Sequence, residues 1–196
     1  MTVQEVMTEI EKDLLFFDES GGGVTFSGGE PLRQAEFLNT LLECCKNQEI
    51  HTALDTSGYA SPEVFHSIID NVDLFLYDLK IMDDTIHRKY TGVSNQNILK
   101  NLQTVSMRGK PVFIRFPVIP TITDTRKNII DILAFMADLN TIQQINLLPY
   151  HRIAEGKYEK LQQENKMAGV TPPSEEHINA LKKEFEKHGF RAKIGG

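Results

Sequence analysis

Cysteine is scarce in this 196-residue sequence: there are two, adjacent at Cys44 and Cys45. Two neighbours cannot build a disulfide framework, so a reducing, cytoplasmic setting is the expectation. Long apolar runs are missing as well, and none reaches the roughly 18 residues a membrane span needs. The opening MTVQEVMTEIEKD reads as amphipathic and acidic rather than as a basic-then-apolar signal peptide. Basic runs are also missing. With 21 Lys+Arg against 27 Asp+Glu, a net charge of −6 and a pI near 5.5, the chain lacks the cationic footprint of a nucleic-acid-binding protein. Neither G-x-x-x-x-G-K-S/T nor G-x-G-x-x-G occurs, so no phosphate loop is present. Low-complexity segments and internal repeats are lacking too. What remains, 40% hydrophobic and 24% charged, suits one domain over residues 1–196 with a single sizeable core.

Short apolar runs alternate with longer amphipathic ones. Thr2 and Glu5 have capping-box spacing and open a helical run through Val3, Val6, Ile10 and Leu14, which Gly21-Gly22-Gly23 ends. Val24–Ser27 reads as a strand. Phe37, Leu38, Leu41, Leu42 and Cys45 mark a helix face, and Ala53-Leu54 with their flanks make a second strand. Ser61 caps the next helix, with Pro62 at its first position. Val72 to Lys80, VDLFLYDLK, is a nearly continuous apolar run of the kind buried on both sheet faces. A helix over 95–107 buries Ile98, Leu102 and Val105. Val112–Val118 is a strand, Ile129–Leu139 a helix and Ile145–Tyr150 a strand. Pro172-Pro173 and a Ser174 cap precede a helix over Glu175–His188, which Gly189 ends before a strand at Ala192–Ile194. This alternation predicts an α/β fold with a parallel sheet, either doubly wound or a partial (β/α) barrel. The chain starts on a helix with no strand before it, as if the first βα unit had lost its strand.

Both architectures place chemistry at the carboxyl ends of the strands. Glu30, Asp55, Asp78 with Lys80, Arg115 and His151 fall there in turn, each step long enough for one crossover. Loops are polar in any case, so each residue alone has a bland explanation. Asp78, Lys80 and Arg115 are different, because they interrupt apolar runs where an unpartnered charge is costly. At spacing two, Asp78 and Lys80 share a strand face and either pair or grip a ligand with opposite charges.

Gly28-Gly29-Glu30-Pro31 is the most pointed local signal. The glycines open the backbone to a ligand, and the carboxylate suits an ammonium group; the plain alternative is a tight turn before a helix. The other candidates are weaker. Cys44-Cys45 reads as an inert core thiol in a helix. His51, His66, His177 and His188 lack spaced partner ligands. His87, just past DLK, either lines the mouth or packs structurally. Lys157 and Lys160 read as solvated surface.

The ordered set SGGEP, LDTSG, DLKxxDxxxHxxxTGxxN, IRxPVIP and LLPYH resembles the glycyl-radical-enzyme activating enzymes of the radical S-adenosylmethionine superfamily. The nearest kind is the pyruvate formate-lyase activating enzymes. Each tetrapeptide alone is weak, but five in order, running from Val3 nearly to the C-terminus, are specific. The resemblance implies a radical-SAM-like partial barrel that binds S-adenosylmethionine on a [4Fe–4S] cluster. Reduction by a flavodoxin or ferredoxin then yields a 5′-deoxyadenosyl radical, which takes a hydrogen atom from a glycine of a partner glycyl radical enzyme. Carried over residue by residue, it implies that Gly28, Gly29 and Glu30 hold the methionine ammonium. Asp78, Leu79 and Lys80 contact the cofactor, with Lys80 on its carboxylate, and His151 contacts it from the last strand end. Asp55 lies beside the methionine portion, Arg115 meets cofactor or target peptide, and Asp55, Thr56 and Asp78 hold a monovalent cation.

The departure from that family is the cluster. Its C-x3-C-x2-C loop follows the first strand, and here only Cys44 and Cys45 exist. A cubane needs several thiolates spread around it. The expectation is a chain truncated at its N-terminus that keeps the cofactor-binding wall and is inactive alone for want of cluster ligands. An uncovered sheet edge inviting non-native association follows from it. Two other readings fit the same residues: a non-catalytic peptide- or protein-binding module on the same barrel, and a βα-barrel lyase or hydrolase using Asp55, Lys80 and His151 as acid–base groups. Codons upstream of Met1 separate the first pair.

Overall fold

The computed structural model describes residues 1–151 and 169–195; Lys157 and Lys160 lie outside the described residues. In chain order the elements are α1 (Val3–Glu11), α2 (Leu14–Ser20), β1 (Gly23–Phe26), α3 (Ala35–Asn47), β2 (His51–Thr56), α4 (Pro62–Ile68), β3 (Leu74–Asp78), α5 (Asp84–Thr91) and α6 (Gln96–Met107). Then come β4 (Val112–Val118), α7 (Arg126–Ala137), β5 (Ile142–Pro149), α8 (Glu175–Lys187) and β6 (Ala192–Ile194). Short 3₁₀ turns at Pro31–Gln34 and Ile69–Asn71 complete the set among the described residues. The strands lie in one sheet in the order β1-β2-β3-β4-β5-β6. The β1·β2, β2·β3 and β5·β6 pairs are parallel. Strand order that follows chain order is the progression of a barrel; a doubly wound sheet reverses direction at a switch point. The architecture is therefore α/β, an open, partial (β/α) barrel.

The chain packs as two units. The first comprises Met1–Asp78 and Gln96–Phe113. Its capping box at Thr2 and Glu5 forms as the sequence predicts, but the following run breaks at Lys12-Asp13 into two helices. Met7 and Ile10 of α1 pack with Leu41, Cys45 and Ile50, each such burial contributing about 1.5–3 kcal/mol. Leu15 and Phe16 of α2 stay exposed. Ser61 accepts from the Val64 N–H, and Pro62 opens α4. Phe65 stacks on Phe75 with ring centroids 5.8 Å apart and meets Tyr77 edge-on at 6.4 Å.

β3 corrects the sequence reading twice. It ends at Asp78 rather than Lys80. It is also not buried on both faces: Phe75 and Tyr77 are buried, while Leu74, Leu76 and Asp78 are half-buried. The run looked continuous because Leu79 and Ile81, past the strand end, are buried as well.

The second unit comprises Leu79–Asn95 and Ile114–Gly196. β4 alternates, with Ile114, Phe116 and Val118 buried and Arg115 and Pro117 half-buried. Phe116 meets Phe185 of α8 edge-on at 5.9 Å. Ser174 caps α8 and Thr125 caps α7. α5 lies where the sequence showed no apolar stripe; Asp83 caps its start and Gly92 ends it in the left-handed region.

Candidate functional site

In the first unit the SGGEP segment follows β1. Gly28 has φ +130°, a conformation L side chains rarely adopt, and a methyl added at Gly29 would meet nothing within 4 Å. The main chain there is bare, as a site for close approach requires. The Glu30 side chain does something the sequence did not reveal. Its Oε1 accepts from Thr56 Oγ1 at 2.6 Å and from the Leu32 N–H at 3.3 Å. Its Oε2 accepts from the Ser57 N–H at 2.9 Å and from Ser57 Oγ. A carboxylate offers about four acceptor positions, so all are taken, and Glu30 clamps the loop after β2.

That loop is gripped from its other side by Asn101, a buried residue of α6. Its Nδ2 donates to Gly58 O at 2.9 Å and Ala60 O at 3.1 Å. Gly58 has φ +70° and lies against Tyr77, whose hydroxyl donates to Ile98 O at 2.7 Å. Burial, then the Glu30 charge, raises the Tyr77 phenol well above its ordinary value. Ser57 and Gly58, the end of LDTSG, had no role assigned to them, and Tyr77 and Asn101 were missed as contributors. Asn101 carried a visible signal, as a polar residue on the apolar face of α6.

Asp55 and Thr56 part company. Successive strand residues face opposite ways, and the Thr56 hydroxyl, donating to Glu30, accepts from the Gly58 N–H at 2.9 Å. Asp55 instead accepts from Ser27 Oγ at 2.9 Å. In the β2·β3 register Asp55 pairs with Leu76, so Asp55 and Asp78 share one face and Thr56 and Tyr77 the other. The Thr56 side chain is thus not placed with the two aspartates proposed to share a cation.

In the second unit the Leu79 N–H donates to Arg115 O at 3.1 Å, and Leu79 as a whole is 1% exposed. Lys80 lies beyond the strand, in a turn fixed by two asparagines. Asn128 Nδ2 donates to Lys80 O at 2.8 Å, while its Oδ1 accepts from the Met82 N–H at 2.9 Å. Asn95 Nδ2 donates to Ile81 O and Met82 O. Arg115 is half-buried, and its Nε is buried without an acceptor although the residue makes other interactions. His151 is exposed just past Tyr150, whose N–H donates to Val118 O at 3.1 Å.

His87 is structural. Its Nδ1 lies 2.8 Å from Val93 O and 3.0 Å from Thr91 Oγ1. Burial pushes its pKa down; the Val93 carbonyl opposes this and Lys80 adds to it. Nearby, hydrogen bonds from Ser94 and Arg88 and from the Asn95 N–H take the Asp84 carboxyl from 3.8 to about 2. A carboxyl lowered on folding contributes stability that is present above its unfolded value and lost as pH falls through the folded one. The melting temperature should therefore fall between pH 3.8 and about 2, and Asp84→Asn should flatten that fall. Circular dichroism melts of both proteins across this window check it.

Cys44 and Cys45 sit side by side in α3. Burial, then Cys44 and Asp73, pushes the Cys45 thiol up to about 11, the opposite of a ready thiolate ligand. Among the described residues no group of three or more His, Cys, Asp or Glu could hold a metal ion. Among the described residues the two thiols, adjacent on one helix, do not fit the spread-out ligands of an iron–sulfur cluster. No helix among the described residues is long and apolar enough to cross a membrane.

The family model of the Radical SAM superfamily matches residues 1–133. The trans-4-hydroxy-L-proline dehydratase activating enzyme of Clostridioides difficile is 41% identical over 198 residues, covering 100% of this chain and 65% of that protein. The pyruvate formate-lyase 1-activating enzyme of Escherichia coli K12 is 35% identical over 193 residues, covering 97% of this chain and 78% of that protein. The crystal structure of a domain of pyruvate-formate lyase-activating enzyme from Bacteroides vulgatus ATCC 8482 matches with a TM-score of 0.74 at 38% identity, over 89% of this chain and 99% of that one. The chain thus spans just under two thirds of the Clostridioides relative. Its five motifs fall in order at the ends of parallel strands, and with these likenesses the chain belongs to the radical SAM superfamily and, within it, to the activating enzymes of glycyl radical enzymes.

Proposed function

We propose that this chain is the S-adenosylmethionine-binding portion of an activating enzyme that generates a glycyl radical in a partner glycyl radical enzyme. The observation that carries this reading is the order of the motifs. SGGEP follows β1, and LDTSG, DLK, IRFPVIP and LLPYH span the carboxyl ends of β2, β3, β4 and β5, where α/β sheets place their ligands. The bare main chain at Gly28 and Gly29 receives the methionine ammonium, with Asp55 and Asp78 supplying negative charge. Glu30 acts by fixing the loop from Thr56 to Gly58. Lys80 takes the carboxylate, its turn held by Asn128 and Asn95; Leu79 supports that turn from its buried position, and His151 adds a contact. Arg115 meets cofactor or target peptide, and Asp55 with Asp78 binds a monovalent cation.

The chemistry the bound cofactor brings is removal of a hydrogen atom from a glycine of the partner. The [4Fe–4S] cluster and its reductant, a flavodoxin or ferredoxin, belong to the complete protein in the cytoplasm, and this chain alone is inactive. Anaerobic treatment with iron and sulfide tests this division of labour. The chain is expected to bind S-adenosylmethionine by calorimetry yet show no iron–sulfur absorbance in the visible. A stoichiometric [4Fe–4S] signal would overturn it.

A further inference from the structure

β5 buries two carboxamides where a core strand normally carries aliphatic residues. Gln144 and Asn146 are 5% and 7% exposed. They alternate with the buried Ile145 and Leu147 and so share the opposite face. Gln144 Nε2 donates to Asn146 Oδ1 at 2.6 Å. That bond uses one carbonyl oxygen and one N–H of the pair, leaving one oxygen and three N–H groups. Reversing both amides changes which residue offers the oxygen, but not the inventory. No other described residue meets these groups, and none of them is sealed from solvent. Groups that solvent reaches are met by water until a ligand replaces it. A partner that supplies both a donor and an acceptor matches what the pair offers.

The surroundings narrow the partner. In the β5·β6 register Asn146 pairs with Lys193, which is exposed and lies on the same face in a parallel ladder. Arg115 on β4 faces away from Phe116 and hence from α8. An anion alone would satisfy N–H groups and leave the amide oxygen unmet. A peptide group brings one N–H and one C=O. Side chains two apart on a strand are spaced by about 7 Å, the repeat of same-side groups along an extended peptide.

We propose that Gln144 and Asn146 form a subsite for the main chain of an extended polypeptide, the target segment whose glycine is activated, with Lys193 favouring acidic flanks. This rests on the activating-enzyme reading above. A glycine in that segment lets its backbone come close enough to be read.

The probe is the capped peptide acetyl-EAAGAAE-amide and its twin N-methylated at glycine, titrated into the ¹⁵N-labelled chain. Side-chain NH₂ signals of Gln144 and Asn146, identified by their loss in Gln144→Leu and Asn146→Leu, report contact. S-adenosylmethionine affinity is measured on the same samples. Saturable movement of both signals is expected, with binding about tenfold weaker for the methylated twin and for the double leucine variant and cofactor affinity unchanged. Asn146→Asp, which keeps the shape and removes donors, serves if leucine disturbs folding. Signals that stay still in millimolar peptide while the cofactor binds would overturn the subsite, as would a double variant that binds peptide like the wild type. Failure of the wild-type chain to bind the cofactor strikes the activating-enzyme reading instead; peptide-induced movement in that case still supports the amide pair.

Discussion

Gly58→Ala should lower the melting temperature by roughly 10 °C. A Cβ built at Gly58 lies 1.7 Å from the Tyr77 hydroxyl and 2.2 Å from its ring carbon Cζ. Tyr77 cannot swing aside cheaply, because its ring is buried against Phe65 and its hydroxyl is bonded to Ile98 O. The left-handed backbone costs alanine about 1–2 kcal/mol, overpacking about 1–3, and a broken buried hydrogen bond about 1. The total is about 3–6 kcal/mol, and each kcal/mol shifts melting by about 2–4 °C for a chain of this size. Gly29→Ala is the internal control. Its added methyl meets nothing within 4 Å, so melting should stay within about 1–2 °C, as for an unconstrained surface position. Scanning calorimetry of the two variants beside the wild type decides. Equal melting of all three would mean that Gly58 and Tyr77 are not packed as described.

Glu30→Ala carries the second large effect, because it distinguishes two roles for one carboxylate. Removing it strands the Thr56 hydroxyl, the Ser57 N–H and hydroxyl, and the Leu32 N–H. Stranded, partly buried donors cost about 1–3 kcal/mol each, less where water reaches them, so about 2–4 kcal/mol is expected for the loop. Glu30→Gln should not restore it: one side of the amide still accepts, but its NH₂ confronts either the Ser57 N–H or the Leu32 N–H, donor against donor. A Glu30 that merely touched a ligand would leave melting unchanged and weaken only cofactor binding. Melting curves and cofactor titrations on the same samples separate these outcomes, and the clamp predicts that both fall together.

The two glutamate roles show where sequence is legible and where it stops. β4 and β6 run as the sequence predicts, Val112–Val118 and Ala192–Ile194, because alternation and turn residues are local signals. The caps at Thr2, Ser61 and Ser174 likewise need only their own helix. Glu30 was read as a ligand because its decisive partners, Thr56 and Ser57, lie on another strand's loop, and no local pattern encodes that distance. α5 was missed for a related reason: its one buried residue is His87, so the helical period has no apolar stripe to show it. Asp83 and Gly92 were its readable ends. The stop of β3 at Asp78 was hidden by Leu79 and Ile81, which are buried as turn residues rather than as strand. Asn95 closes the DLKxxDxxxHxxxTGxxN motif but had no role assigned to it, and Asn128, the other residue that holds the Lys80 turn, gave no signal because asparagine at a helix start is commonplace.

Affinity of the chain for S-adenosylmethionine and for its decarboxylated form, measured by calorimetry on wild type and Lys80→Ala, tests the account most directly. Lys80 on the methionine carboxylate predicts that the wild type prefers the intact cofactor by at least about tenfold, the worth of one charge-assisted hydrogen bond, and that the variant loses the preference. No binding of either compound, or a preference that survives in Lys80→Ala, would contradict it.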